Sequence, residues 1–241
     1  MTRIAIISAL PGELKPLVRE WEHVRINGVE LWQTHRNHSE WIAACAGMGQ
    51  QAATRAFAVV EKSGPIDRII SAGWAGALHE NLEVGKAYRA AGVVDLRTGE
   101  RFLADGETEG APWLVTSPSV AGAADKRRLA AEYGAGLVDM EAAAIARLAA
   151  MRGIPFQCVK GISDGFGENL PDFNRFISPE GQLKLSKLLI FVLLRPWCWP
   201  ALIRMGENSK KASHSLTGLL LENLEIPGDQ SNPNGNSNFS R

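Results

Sequence analysis

The chain has 241 residues, 45% of them apolar and 22% charged, with zero formal net charge and a pI near 7.0. This is ordinary globular usage and long enough for one large domain with an appendage. A neutral total with no basic run longer than Lys126-Arg127-Arg128 gives no electrostatic footprint for nucleic acid. Cys45, Cys158 and Cys198 are odd in number and widely spaced, which reads as reduced thiols, not as a disulfide framework or zinc site.

Arg3 to Ala9 is an isoleucine-rich strand candidate, and the apolar run ends at Pro11-Gly12-Glu13, too soon for a signal peptide. Pro11 suits the first helical position, and Leu14, Leu17, Val18 and Trp21 follow at helical spacing. Glu30–His35 and Glu40–Ala46 alternate and predict a hairpin about Asn37-His38-Ser39. Gly49 to Lys62 is an alanine-rich helix candidate. Arg68 to Ala72 reads as a short buried strand, ended by a Gly73-Trp74-Ala75-Gly76 turn. Gly85 to Asp95 is expected to be extended, 97–112 to be loop or hairpin, and Trp113 to Thr116 a strand. Ala121–Tyr133 reads as a helix, Gly136–Met140 as a strand, Glu141–Arg152 as a helix and Phe156–Ile162 as a strand. Alternating strands and helices predict a layered α/β fold around a largely parallel sheet.

The rest differs in character. Gln182–Leu194 is a strongly apolar helix candidate, Pro196 and Pro200 interrupt, and a second helix is expected over about Asn208–Leu224. The residues after Pro227 are rich in Asn, Ser, Gly and Pro and read as a disordered tail. The expected layout is one domain over 1–225, including divergent C-terminal helices in 182–225, followed by the tail 226–241.

Ligands of open parallel sheets bind outside the carboxyl ends of the strands. Glu13, Glu141 and Asp164 each follow a predicted strand and so are candidates for one crevice. Each also has a plain reading: the first two as acids complementing helix dipoles, the third as a cap or turn residue. Gly47-Met48-Gly49-Gln50-Gln51-Ala52 matches the dinucleotide-binding pattern G-x-G-x-x-A, yet Asp67 precedes its strand where that fold needs an acid at the strand's end. The glycines equally permit a tight turn and close approach of backbone to a ligand.

Five segments in order carry a resemblance: Ile4–Ala9 with Glu13, Ala46-Gly47-Met48-Gly49, Ser71–Gly76, Val138-Asp139-Met140-Glu141-Ala142 and Gly161-Ile162-Ser163-Asp164. Together they resemble the nucleoside phosphorylase/nucleosidase superfamily, and within it the 5′-methylthioadenosine/S-adenosylhomocysteine nucleosidases, over about residues 3–176. The resemblance implies a three-layer α/β/α domain with a mixed, largely parallel central sheet. It implies that Asp164 protonates purine N7, that Ser163 orients Asp164, and that Glu141 accepts hydrogen bonds from the ribose hydroxyls. Met140 is expected beneath the sugar, the backbone near Ser119-Val120 at the base, and Gly73 with Trp74 at the turn beside the substrate. Glu13 matches the base that activates water, which favours hydrolysis over phosphorolysis. No metal or organic cofactor is implied; phosphate is the possible co-substrate.

Three departures stand out. Trp74 replaces a small serine, and Lys160 replaces an arginine near the nucleophile; lysine lacks arginine's forked donors. The segment Val84–Val120 is short for a nucleosidase. The run Leu188–Leu194 followed by Arg195-Pro196-Trp197-Cys198-Trp199-Pro200-Ala201-Leu202-Ile203 is too short and interrupted for a membrane span. It reads as a packed core helix or as an apolar lip able to touch a membrane through 188–205. The compact middle and this run are similar to the hopanoid-associated members of the superfamily, thought to release adenine from adenosylhopane. The resemblance implies a cytoplasmic homodimer that cleaves a 5′-modified adenosine, with peripheral contact at the inner membrane as the role of the lip. A phosphate-dependent purine nucleoside phosphorylase and a non-catalytic nucleoside-binding module are the alternatives.

Overall fold

The computed structural model describes residues 1–106, 109–168, 176, 178 and 199–225. The helix expected over 182–194, most of the apolar run before Trp199 and the tail 226–241 lie outside the described residues.

The chain forms β1 (Thr2–Ser8), α1 (Pro11–Leu14), β2 (Glu22–Ile26), β3 (Val29–Arg36), β4 (Ser39–Cys45), α2 (Gln50–Lys62) and β5 (Arg68–Ala77). Then follow β6 (Ala87–Arg89), β7 (Gly92–Asp95), β8 (Arg101–Leu103), β9 (Trp113–Thr116), α3 (Ala123–Tyr133), β10 (Leu137–Asp139), α4 (Ala142–Arg152), β11 (Phe156–Asp164) and α5 (Trp199–Glu225). The sheet runs β2-β3-β4-β1-β5-β10-β9-β7-β8, with β11 added to β5 and β6 added to β11. The central pairings β4–β1, β1–β5, β5–β11, β10–β9 and β9–β7 are parallel. Hairpins β2–β3, β3–β4 and β7–β8 supply antiparallel edges. The mixed, largely parallel α/β sheet is as the sequence predicts.

Alternation along the strands builds a layer on each face. Ala5, Ile7, Ile69 and Leu137 pack with Ala53, Phe57 and Val60 of α2 and with Ile145 and Ala149 of α4. The opposite face, Ile4, Ile6 and Ile70, packs with Leu14 and with Leu216 and Leu220 of α5. On that side α3 covers Val94, Val115 and Val138 through Leu129.

Four elements differ from expectation. Helix α1 stops after four residues, because Pro16 has no N–H to donate and the next helical hydrogen bond cannot form. Leu17, Val18 and Trp21 are buried all the same, carried by turns and not by a continuous helix. Strand β5 does not break at Gly73 but continues to Ala77, held by β11 on one side and, at Gly76 and Ala77, by β10 on the other. Strand β2 has no sequence signal of a core face because all five of its residues are exposed; Asn27-Gly28, both at positive φ, form its turn into β3. Helix α5 begins at Trp199, with Pro200 accommodated in its first turn. Among the described residues no helix is long and apolar enough to cross a membrane.

Helix α5 lies directly on β11. A Cβ at Gly161 would sit 2.7 Å from the Ala212 carbonyl oxygen and 3.0 Å from the Ala212 Cβ. Gly161→Ala should therefore push α5 from the sheet and cost about 1–3 kcal/mol, the usual range for overpacking. Urea unfolding of the variant checks this, with a lowered midpoint as the expected result.

Candidate active site

One cavity of about 230 Å³ opens beyond the carboxyl ends of β1, β5, β10 and β11. Glu13, Trp74, Val120, Met140, Glu141, Ser163 and Asp164 all line it. Gly73 and Lys160 are not among its lining residues. Asp139, Lys126, Met48 and, from α5, Met205 and Ser209 also line it; the sequence reading assigned none of these a role.

Glu13 is buried just after β1. Its Oε2 accepts hydrogen bonds from Ser8 Oγ, Ala9 N (2.9 Å) and Leu10 N (2.9 Å), and its Oε1 from Trp74 N (3.0 Å). Four donors from the β1–α1 turn and from β5 thus fix one carboxylate. Gly73, at φ +142°, makes room for it: a Cβ there would lie 3.0 Å from Glu13 Oε2.

Trp74 ties this region to α5. Its indole Nε1 donates to Ser213 Oγ at 3.0 Å, and that hydroxyl donates in turn to the Gly12 carbonyl at 3.2 Å. A small residue at 74 has no group that spans this gap. The large side chain therefore belongs with the long C-terminal helix.

Asp164 ends β11 next to a register shift between Ile162 and Asp164 in the pairing with β5. The irregularity brings both Ser163 and Asp164 to the cavity. Ser163 Oγ donates to Asp164 Oδ1 at 2.6 Å, and Lys126 Nζ donates to Asp164 Oδ2. Lys126 is fully buried in the first turn of α3. A cation at a helix N-terminus opposes the helix dipole, which is the one signal by which its special role was open to sequence reasoning.

Glu141 precedes α4 and reaches across to the glycine turn. Gly49 N, at the start of α2, donates to Glu141 Oε1 at 2.5 Å. The Gly47–Ala52 motif therefore contacts a carboxylate of this chain. Burial pushes the Glu141 pKa up to about 8, aided by the nearby negative charge of Asp139 and opposed by Lys160.

Lys160 lies behind the cavity. Its Nζ meets Asp139 Oδ2 at 2.9 Å and Ser71 Oγ at 3.2 Å, and the side chain is 1% exposed. Burial favours its neutral form, but the Asp139 charge outweighs burial and holds its pKa above the ordinary lysine value. Asp139 also accepts from Thr116 Oγ (2.7 Å) and Ala142 N (2.9 Å). Lys160 is thus tied to Asp139 and Ser71. Among the described residues no cluster of His, Cys, Asp and Glu could hold a metal.

Glu141 links folding to pH. Its ordinary value is 4.5, so between about 4.5 and about 8 the folded chain keeps a proton that the unfolded chain has lost. This contribution to stability is complete below 4.5 and is lost as pH rises through about 8. Urea midpoints measured across that window should fall more steeply for the wild type than for Glu141→Gln.

The family model described as the Phosphorylase superfamily matches residues 3–118 and 107–191. No curated protein matches the chain. Among solved structures, a putative 5′-methylthioadenosine/S-adenosylhomocysteine nucleosidase from Francisella philomiragia superposes with a TM-score of 0.71 at 16% identity, covering 93% of this chain and 99% of that one. The nucleosidase of that type from Neisseria meningitidis, in complex with methylthio-immucillin-A, gives 0.70 at 19% identity, with 93% and 99% covered. Futalosine hydrolase of Helicobacter pylori gives 0.67 at 15% identity, with 92% and 98% covered. At these identities the likeness is one of fold.

Proposed function

We propose that this chain, which belongs to the Phosphorylase superfamily, hydrolyses the N-glycosidic bond of a 5′-substituted adenosine and releases adenine. The observation that carries the reading is the convergence of Asp164, Glu141 and Glu13 on one cavity from three distant parts of the chain. Nucleosidases of this fold, such as the Francisella and Neisseria proteins named for methylthioadenosine and adenosylhomocysteine, supply the substrate class.

In this reading Asp164 delivers a proton to purine N7. The C1′–N9 electron pair leaves with the base, and a cationic sugar develops at C1′. Glu141 accepts hydrogen bonds from the ribose hydroxyls, and the positive charge developing on that sugar favours its ionised form. Glu13 takes a proton from water as the oxygen bonds to C1′. Met140 packs under the sugar and the Val120 backbone borders the base.

Water is favoured over phosphate on electrostatic grounds. The described lining contains four acids, Glu13, Asp139, Glu141 and Asp164, and no arginine. Its lysine, Lys126, is paired with Asp164, and Lys160 behind it is paired with Asp139. A phosphate dianion would meet these acids without an uncommitted cation in the described lining to balance it.

The 5′ substituent is read as apolar. Met205 and Ser209 bring α5 to the cavity, and the same helix exposes Trp199 and Ile203 near its start. A long hydrocarbon leaving the site along this helix has an apolar path, which also supports contact with a lipid surface at that end.

The test is adenine release from methylthioadenosine, adenosylhomocysteine, adenosine and an adenosyl-hydrocarbon, each with and without phosphate. The expected result is release independent of phosphate and fastest with the apolar 5′ groups. Asp164→Asn and Glu13→Gln should each lower kcat by about 10²–10⁴, the usual worth of general acid–base catalysis. Strict dependence on phosphate would overturn the hydrolytic reading. Failure to cleave any purine nucleoside would favour a nucleoside-binding role.

A further inference from the structure

Lys126 has no role in the scheme above, yet it is the most fully buried cation at the cavity. Removing an ammonium from water is costly unless it is paired and hydrogen-bonded. Its position in the first turn of α3 adds an unfavourable helix dipole. Both costs are met by two acceptors only among the described residues: Asp164 Oδ2 and the Gly165 carbonyl, the latter at 2.7 Å.

The main chain is shaped around this pair. A Cβ at Gly76 would lie 2.9 Å from Asp164 Oδ2 and 3.0 Å from Lys126 Cε. Gly76 is not among the glycines at positive φ, so what it supplies is room and not an unusual backbone. The ion pair and the missing side chain beneath it form one feature of β5, α3 and β11.

We infer that Lys126 is the source of the proton that Asp164 passes to the purine, an inference that rests on the nucleosidase reading. The buried ammonium is the proton donor that touches the Asp164 carboxylate. In the buried pair the proton crosses from Lys126 Nζ to the Asp164 carboxylate, leaving a neutral amine and a neutral acid. Low polarity favours this exchange more than water does, because two charges disappear together. The acid then protonates N7 as the C1′–N9 bond breaks, and Asp164 is a carboxylate again. Water gives its oxygen to C1′ and its proton to Glu13. Loss of that proton to solvent and reprotonation of Lys126 restore the starting state. Lys126 thus acts through Asp164, as the residue that positions it and recharges it.

The experiment uses two substrates and two variants of the full chain. One substrate is the adenine nucleoside that the wild type cleaves best. The other is a p-nitrophenyl riboside, whose phenolate leaves without a proton. Lys126→Met should slow the nucleoside by about 10²-fold or more, the scale of general acid catalysis, while the aryl riboside stays close to the wild-type rate. Lys126→Arg keeps a positive charge beside Asp164 but holds its proton too tightly to give it up. It should therefore remain slow on the nucleoside and near normal on the aryl riboside. A wild-type nucleoside rate in Lys126→Arg would overturn the relay and leave a purely electrostatic role. Equal losses on both substrates would overturn it in favour of a structural role, and unchanged rates in Lys126→Met would remove Lys126 from the reaction altogether. A wild type that cleaves no purine nucleoside would instead overturn the nucleosidase reading, and the relay with it.

Discussion

Four carboxyl groups crowd one cavity, where the described residues place two lysines to balance them, and the rest of the site follows from how that excess is handled. Asp139 is held by Lys160 and Asp164 by Lys126. Glu13 has no cation among the described residues; four N–H and O–H donors serve it instead. Glu141 accepts from backbone N–H groups, and burial, aided by the repulsion of Asp139, raises its pKa in spite of them. One acid is thus fixed by dipoles, two by ion pairs, and one is left sensitive to its environment. A cationic sugar in their midst would relieve the excess that folding imposes, which is the condition for binding a transition state better than a ground state.

The topology makes that crowding possible. Strand β5 pairs with β1, β11 and β10, so the chain ends of widely separated segments open on one side of it. Two of its glycines give up side chains to the site, Gly73 to the Glu13 carboxylate and Gly76 to the Lys126–Asp164 pair. The Gly47–Gly49 turn does a related service by aiming a backbone N–H at Glu141. Here glycine marks a protein carboxylate, where the same pattern in a dinucleotide fold would mark a ligand phosphate.

The three acids were legible in the sequence because each lies at or shortly after the end of a buried strand, and strand ends converge in parallel sheets. The lysines were less so. Lys126 sits in what reads as a short basic run on a polar helix, and only its burial reveals its partner. Lys160 was visible as a departure, but its direction was not: alternation along β11 does not say that Asp139 stands opposite. The segment after Gly73 was misread for a physical reason. Two glycines in four residues signal a turn when viewed locally, whereas here they are close-approach positions in a strand whose pairing continues through long-range partners. In the same way, Pro16 outweighed the helical spacing of Leu14, Leu17 and Val18.

Trp74 and α5 explain each other. The indole reaches Ser213, and Ser213 closes on Gly12 beside Glu13, so the C-terminal helix becomes part of the wall that holds the carboxylate of Glu13 in place. Gly161 lets the same helix settle on β11, the strand that ends in Asp164. Helix α5 thus contacts the supports of both Glu13 and Asp164 and also lines the cavity through Met205 and Ser209. Any displacement of α5 would therefore act on the two carboxylates together.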